Sequence, residues 1–119
     1  MTLDKLTIAT TNTSAMVTFY NAVFNAGLRA IPETPFFAGQ IGGIDLMFCP
    51  NEITQIKAEK NRIQMRFTVD DIDAIIASAQ ANGGDTYGDR HDDETVIAWG
   101  ISDPDGNSIE LRQLKGSNA

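Results

Sequence analysis

The segment Asp103-Pro104-Asp105-Gly106-Asn107-Ser108-Ile109-Glu110-Leu111 is the most informative stretch of this chain. Its Asp, Pro and Gly residues occupy their favoured positions in a type I β-turn. The apolar Ile109 and Leu111 then alternate with Glu110, as expected of a half-buried strand. Another predicted strand, Val96 to Ile101, precedes the turn. The segment therefore predicts a hairpin that leads into a final strand, Ser108 to Leu114.

The rest of the second half has the pattern strand, helix, strand. Apolar residues from Ile63 to Val69 alternate with polar ones, which predicts a strand. Asp70 and Asp71 can cap the following helix, which we predict from Asp71 to Asn82. Asn82-Gly83-Gly84 ends this helix, and a further strand follows near Asp85 to Arg90.

The first half has the same order of elements. Alternation around Leu6 and Ile8 predicts a strand, and Asn12, Thr13 and Ser14 offer N-cap chemistry for a helix from Thr13 to Asn25. Three short strands are predicted next: Leu28 to Ile31, Phe36 to Gln40 and Ile44 to Cys49. The polar stretch from Asn51 to Asn61 is interpreted as a surface connection with room for a helical turn.

The two halves are an internal repeat. A constant shift along the chain maps corresponding residues on each other: Leu6 on Ile63, Ile8 on Met65, Asn25 on Asn82 and Gly27 on Gly84. We therefore predict an α+β protein of two βαβββ modules within a single domain, with module 1 at about 1–52 and module 2 at about 61–115. Periodicity alone also fits a ferredoxin-like α+β sandwich.

Composition narrows the function. The chain has 119 residues and a formal net charge of -7. An acidic surface argues against nucleic acid and against an anionic membrane as partners. Cys49 is the only cysteine and His91 the only histidine, which excludes an intrachain disulfide and limits histidine-based catalysis. We expect a cytoplasmic protein, because no secretory leader or membrane span is discernible.

Three segments carry a resemblance to a known family. The closing hairpin Asp103–Leu111, the helical Phe19-Tyr20-Asn21-Ala22-Val23-Phe24 and the junction Phe67-Thr68-Val69-Asp70-Asp71-Ile72 resemble segments of the vicinal-oxygen-chelate superfamily. This superfamily comprises glyoxalases, bleomycin resistance proteins and extradiol dioxygenases. Together with the repeat, the resemblance covers nearly the whole chain. It implies half-barrel modules around a cavity, often in a homodimer, which we expect here.

The resemblance also implies a site. Enzymes of the superfamily hold a divalent metal with four residues, usually His, Glu or Gln. The first position falls on Lys5 or Thr7, neither of which is a metal ligand, and the other three fall on Asp45, Gln64 and Glu110. Oxygen donors without imidazole favour Mg or Mn over Zn, and the divalent metals that the resemblance allows are Mg, Mn, Ni and Zn. The lost first ligand argues against tight metal binding, so we expect no cofactor.

Other residues are candidates for binding a small molecule. Arg66 shares the polar face of its strand with Gln64, where it would bind a ligand carboxylate or phosphate or form a salt bridge with Glu110 or Asp45. Aromatic and apolar residues offer either a cavity wall or ordinary core: Phe36, Phe37, Met47, Phe48 and Trp99. His91 is interpreted as part of a solvated, charged loop.

Two functions follow from these residues. The first is a metal-independent small-molecule-binding protein with a degenerate metal site, whose ligand contacts are Arg66, Gln64, Trp99, Thr7 and Met47. The alternative is a divalent-metal-dependent lyase or dioxygenase that uses Asp45, Gln64 and Glu110, with Glu110 as the catalytic residue. A non-catalytic regulatory subunit is a third interpretation.

Overall fold

The computed structural model describes residues 2–54 and 63–116. The chain forms two compact units, Met1–Glu59 and Lys60–Ala119. In the described part of the chain, no helix is long and apolar enough to cross a membrane.

The first unit contains a four-stranded mixed sheet in the order β1-β4-β3-β2. β1 and β4 are parallel, while β3 pairs antiparallel with both β4 and β2. Its elements are β1 (Lys5–Thr10), α1 (Thr13–Phe24), β2 (Arg29–Ala30), β3 (Phe37–Ile41), β4 (Ile44–Pro50) and the short α2 (Asn51–Thr54).

The second unit repeats this arrangement in the order β5-β8-β7-β6. The pair β5 and β8 is again parallel, and β7 pairs antiparallel with β8 and β6. Its elements are β5 (Met65–Thr68), α3 (Ile72–Ala81), β6 (Asp85–Asp92), β7 (Val96–Ser102) and β8 (Ser108–Leu114). The prediction of two βαβββ modules is confirmed, and the two four-stranded sheets exclude the single sheet of a ferredoxin-like sandwich.

Both long helices lie within one residue of their predicted bounds, because Asn25, Asp71 and Asn82 are the capping residues rather than members of the helices. The Asn12 side chain accepts a hydrogen bond from the Ala15 backbone N–H, and Asn25 ends α1 in the left-handed conformation. The Asp71 carboxylate accepts from the Ala74 N–H at 3.2 Å and caps α3. These side chains satisfy backbone N–H groups that have no partner within the helix.

Each sheet has one face in the core. In the first unit, the rings of Tyr20 and Phe48 meet edge to face with 5.2 Å between centroids, and both residues are fully buried. In the second unit, Ile109 and Leu111 of β8 are buried together with Ile72 and Ile76 of α3. Strand alternation then leaves the polar residues of β8 on the opposite face.

Two predictions about local structure in the second unit are wrong. Ile63 lies outside β5 and is 70% exposed, so the strand begins two residues later than the alternation indicated. His91 lies on β6 rather than in a loop, because β6 extends to Asp92 and pairs with β7. Of the predicted connection Asn51 to Asn61, residues 51–54 form α2, and residues 55–61 lie outside the described residues.

Candidate functional site

Strand register in the second unit builds a row of side chains across the polar face of the sheet. Arg66 on β5 lies opposite Glu110 on β8, Glu110 lies opposite Gly100 on β7, and Gly100 lies opposite Tyr87 on β6. Residues paired in this way project from the same face of a sheet. Four strands therefore contribute neighbouring positions to one surface.

An ion pair occupies one end of this row. The Arg66 Nη1 atom lies 3.5 Å from the Glu110 Oε1 atom, and the two side chains are 54% and 41% exposed. Such a half-exposed pair contributes little to the free energy of unfolding, because water screens it. The ion pair matters more for chemistry than for stability. The Arg66 guanidinium balances the charge of Glu110, the carboxylate that the resemblance implies as a metal ligand.

Gln64 connects two strands beside this row. Its Nε2 atom lies 3.0 Å from the Ser108 hydroxyl oxygen and 3.3 Å from the Tyr87 phenolic oxygen. Because an amide nitrogen has two N–H groups, it can donate to both oxygens at once. Gln64 thus ties the Tyr87 side chain to the beginning of β8.

A cavity of about 300 Å³ opens on this face of the second unit. It lies where the pairing of β6 with β7 is irregular, between Tyr87 and His91, and Gly88 there has a φ of 73°. A bulge of this kind leaves residues out of the ladder and redirects their side chains. The cavity is lined by Gln64, Tyr87, Gly88, Asp89, His91, Ala98, Trp99, Gly100 and Glu110.

Trp99 borders the cavity, but its register places it opposite Leu111, on the core face of the sheet. The indole N–H donates to the Gly88 carbonyl oxygen at 2.9 Å. The Arg90 guanidinium lies 5.5 Å from the centre of the Trp99 ring and also pairs with Asp73 of α3 at 2.9 Å. Trp99 therefore supports the bulge, and its predicted contact with a ligand stays a prediction.

His91 is held by the turn that joins β6 to β7. Its Nε2 atom lies 2.7 Å from the Asp93 Oδ2 atom. The other carboxylate oxygen of Asp93 accepts from the Thr95 N–H, the Thr95 hydroxyl and the Val96 N–H. The Thr95 backbone N–H first, and then His91, hold the pKa of Asp93 well below its usual range.

The lowered pKa of Asp93 predicts a pH-dependent contribution to stability. This contribution is complete above the ordinary carboxyl pKa of about 4 and disappears only as the pH falls through the lowered value. We expect Asp93→Asn to unfold at a lower temperature than wild type at pH 5, with the difference narrowing below pH 4. Circular dichroism melts at pH 5, 4, 3 and 2 measure this, and a difference that widened in acid would contradict it.

The predicted residues of the first unit lie on one face of its sheet. Lys5 of β1 lies opposite Asp45 of β4, and Thr7 lies opposite Met47. The Asp45 Oδ1 atom lies 3.4 Å from the Gln40 Nε2 atom, which donates to it. The structure thus brings Gln64, Arg66 and Glu110 together in the second unit, and Lys5, Thr7, Asp45 and Met47 together in the first.

In both units, a cation or a hydrogen-bond partner lies beside the predicted oxygen donors. In the second unit, the Arg66 cation lies 3.5 Å from Glu110, and Gln64 uses its amide nitrogen to hold Ser108 and Tyr87. In the first unit, Lys5 is the cross-strand neighbour of Asp45. No group of three or more His, Cys, Asp or Glu side chains placed to hold a metal occurs within residues 2–54 and 63–116. A nearby cation disfavours a second positive charge at the same carboxylate.

Comparison with known proteins identifies the family. Residues 5–112 match the sequence model of the glyoxalase-like domain. The chain therefore belongs to the glyoxalase/bleomycin resistance/dioxygenase superfamily, as the hairpin and helix motifs predicted. A search of curated proteins found no match.

Solved structures share the fold at low sequence identity. A glyoxalase/bleomycin resistance protein/dioxygenase family enzyme from Burkholderia phytofirmans is 21% identical with a TM-score of 0.74, over 95% of this chain and 100% of that one. A glyoxalase/bleomycin resistance protein/dioxygenase from Nocardioides is 18% identical with a TM-score of 0.70, over 98% and 85%. The fosfomycin resistance protein FosX from Mesorhizobium loti is 18% identical with a TM-score of 0.66, over 99% and 93%.

Proposed function

We propose that this protein binds a small organic molecule in the cavity of its second unit and needs no metal ion to do so. The observation that supports the proposal is the ion pair between Arg66 and Glu110 on the polar face where the cavity opens. A carboxylate already balanced by a guanidinium is a poor ligand for a divalent cation, because the two positive charges repel each other.

The lining of the cavity suits recognition rather than metal chemistry. It combines the aromatic ring of Tyr87 with a few polar groups, among them the amide of Gln64 and the carboxylate of Glu110. Aromatic rings and a few polar groups of this kind orient ligands in small-molecule sites, and a volume of about 300 Å³ lies at the lower end of the range of such sites. The ligand we propose is therefore small.

A metal assay with matched variants tests the proposal. We expect elemental analysis of purified wild-type protein to find no stoichiometric metal, and calorimetric titration with manganese, nickel and zinc to give no specific binding. Glu110→Gln should leave the metal content unchanged, since Arg66 and not a metal balances this carboxylate. Glu94→Gln, an exposed position outside the cavity lining, makes the same change of charge as a control.

A fragment screen by ligand-observed NMR tests binding itself. We expect fragments that bind wild type to lose binding in Ala98→Phe, because residue 98 lines the cavity and the larger ring would fill it. Stoichiometric metal in the wild type that is lost in Glu110→Gln would instead establish the metal-dependent lyase or dioxygenase. Fragments that bind both forms equally would place the ligand elsewhere.

A further inference from the structure

We propose that the cavity of the second unit recognises a flat organic cation, such as an aryl amidinium or guanidinium, stacked on the ring of Tyr87. The inference rests on the proposed function, because it names the ligand class of that same site. Three observations carry it: how the Tyr87 ring is held, which charges border the cavity, and how the neighbouring cations are engaged.

The Tyr87 ring is fixed against the sheet. Tyr87 lies opposite Gly100, and a Cβ atom at residue 100 would collide with the ring, so the ring occupies the space that a side chain would need. Gln64 donates to the phenolic oxygen at 3.3 Å and holds the far edge of the ring. Tyr87 nevertheless remains 49% exposed. The ring therefore lies against Gly100 of β7, while part of the residue remains accessible from the cavity.

A fixed, partly exposed aromatic ring beside a cavity can bind positive charge. The π-electrons give the face of the ring a negative electrostatic potential, and a cation within about 6 Å of the ring centre is stabilised by it. An aromatic residue that covers a strand glycine also stabilises a sheet. If Tyr87 only stabilised the sheet, neither the cavity beside its ring nor the carboxylates of Asp89 and Glu110 in the cavity lining would be needed.

The charged side chains of the cavity lining leave it acidic. Glu110 follows Gly100 in the same row of the sheet, and Asp89 lies two residues beyond Tyr87 on the bulge. Arg66 balances Glu110, whereas Asp89 has no ion-pair partner among residues 2–54 and 63–116. A carboxylate near the edge of the ring can accept hydrogen bonds from the N–H groups of a stacked cation.

The basic residues nearest the cavity on β6 and β8 are already engaged. Arg90 pairs with Asp73 of α3 and lies over the Trp99 ring, on the core side of the sheet. The Arg112 Nε atom donates to the Thr68 hydroxyl at 2.9 Å. His91 contacts Asp93 at 2.7 Å, so a carboxylate outside the cavity lining lies beside its imidazole. Among the residues that the structure describes, the cavity lining itself contains the carboxylates of Asp89 and Glu110 and neither lysine nor arginine, so it offers more negative than positive charge to a ligand.

Three probes of nearly identical shape test the charge preference. Benzamidinium is a cation, benzamide is neutral and benzoate is an anion. Trp99 is the only tryptophan of the chain and borders the cavity, so its fluorescence reports binding. In protein treated with EDTA and dialysed, we expect benzamidinium to bind at least about tenfold more tightly than benzamide, and benzoate more weakly than both.

Variants separate the ring from the charge. We expect Tyr87→Leu to weaken benzamidinium binding by about fivefold or more, and Tyr87→Phe to retain most of it, because the ring remains. Asp89→Asn should reduce the preference for benzamidinium over benzamide by about threefold or more, while Glu94→Gln should leave this preference unchanged. Asp89 is exposed, so its conservative variant keeps the test valid if Tyr87→Leu does not fold.

The outcomes distinguish this inference from the proposed function. Equal affinity for benzamidinium and benzamide, with both lost in Ala98→Phe, would overturn the cation class and leave a small-molecule site in place. Tightest binding of benzoate would mean that Arg66 recruits an anion, and would overturn the inference. Failure of all three probes to bind would overturn it as well. Stoichiometric metal bound through Glu110 would instead contradict the proposed function, whatever the probes show.

Discussion

Replacing Asp103 with alanine is expected to destabilise the second unit by about 2–4 kcal/mol, because three donors lose their acceptor in a buried turn. The Asp103 residue is only 3% exposed. One carboxylate oxygen accepts from the backbone N–H groups of Asp105 and Asn107 at 3.0 and 2.9 Å, and the other accepts from the Asn107 side-chain amide at 2.9 Å. Urea unfolding monitored by circular dichroism measures the loss.

A second substitution at this position separates charge from geometry. Asp103→Asn keeps one oxygen acceptor for the two backbone N–H groups but places an amide nitrogen against the Asn107 amide, so we expect a smaller yet clear loss of stability. Glu94→Ala, on an exposed turn, is the control and should change stability by less than about 0.5 kcal/mol. If Asp103→Ala were as stable as this control, the turn would not depend on the carboxylate.

The Asp103 turn also shows why so much of the fold was predictable. Its sequence specifies a turn, and the turn sets the pairing of Ser102 with Ser108 that fixes the register of β8. Side-chain caps and alternation are local signals of the same kind, and they located α1, α3 and most strands. Register then determines that Glu110 faces Arg66 on one side and Gly100 on the other.

Tertiary contacts explain the elements that differ from the prediction. The predicted strand from Leu28 to Ile31 shortens to Arg29–Ala30, and at its beginning the Asn21 side chain uses both backbone groups of Leu28. Its amide accepts from the Leu28 N–H at 2.6 Å and donates to the Leu28 carbonyl at 3.1 Å. The alternation of apolar and polar residues along a strand cannot predict a contact between residues that are seven positions apart in the sequence.

Part of the candidate site was accessible from the sequence and part was not. Gln64, Arg66 and Glu110 follow from alternation and from the resemblance, which is why they were predicted. Tyr87 and Asp89 were missed, because the position of Tyr87 depends on the pairing of β6 with β7 and that of Asp89 on the bulge that follows, where Gly88 has a φ of 73°.

The alternation of residues along β7 also predicts the side of the sheet on which Trp99 lies. Trp99 and Ile101 are two residues apart on β7, so their side chains project from the same face of the sheet. Because Ile101 is fully buried, alternation places the Trp99 indole on the core side as well. The charged residues around His91 favour a loop. Its strand conformation comes from pairing with Ala98 on β7, which local composition does not indicate.

Gly39→Ala is expected to destabilise the first unit by about 3 kcal/mol, because the strand has no room for a methyl group at this position. A Cβ atom built on Gly39 of β3 would collide with the Ala26 carbonyl oxygen and lie 3.0 Å from the Leu28 nitrogen. Both neighbours are backbone atoms, which cannot rotate away as a side chain can. The same carbonyl accepts from the Gln40 N–H at 2.9 Å, so any movement that relieves the collision weakens this bond too.

The adjacent residue provides the matched control for Gly39. Ala38 lies on the same strand, but its side chain projects from the opposite face and is exposed. Ala38→Ser should therefore stay within about 0.5 kcal/mol of wild type in urea unfolding. A large loss in Gly39→Ala with none in Ala38→Ser would show that close approach of the chain at Ala26 to β3 is the cause. Equal stability of the two variants would mean that the backbone around Ala26 and Leu28 yields easily, and that this approach does not fix the position of β3.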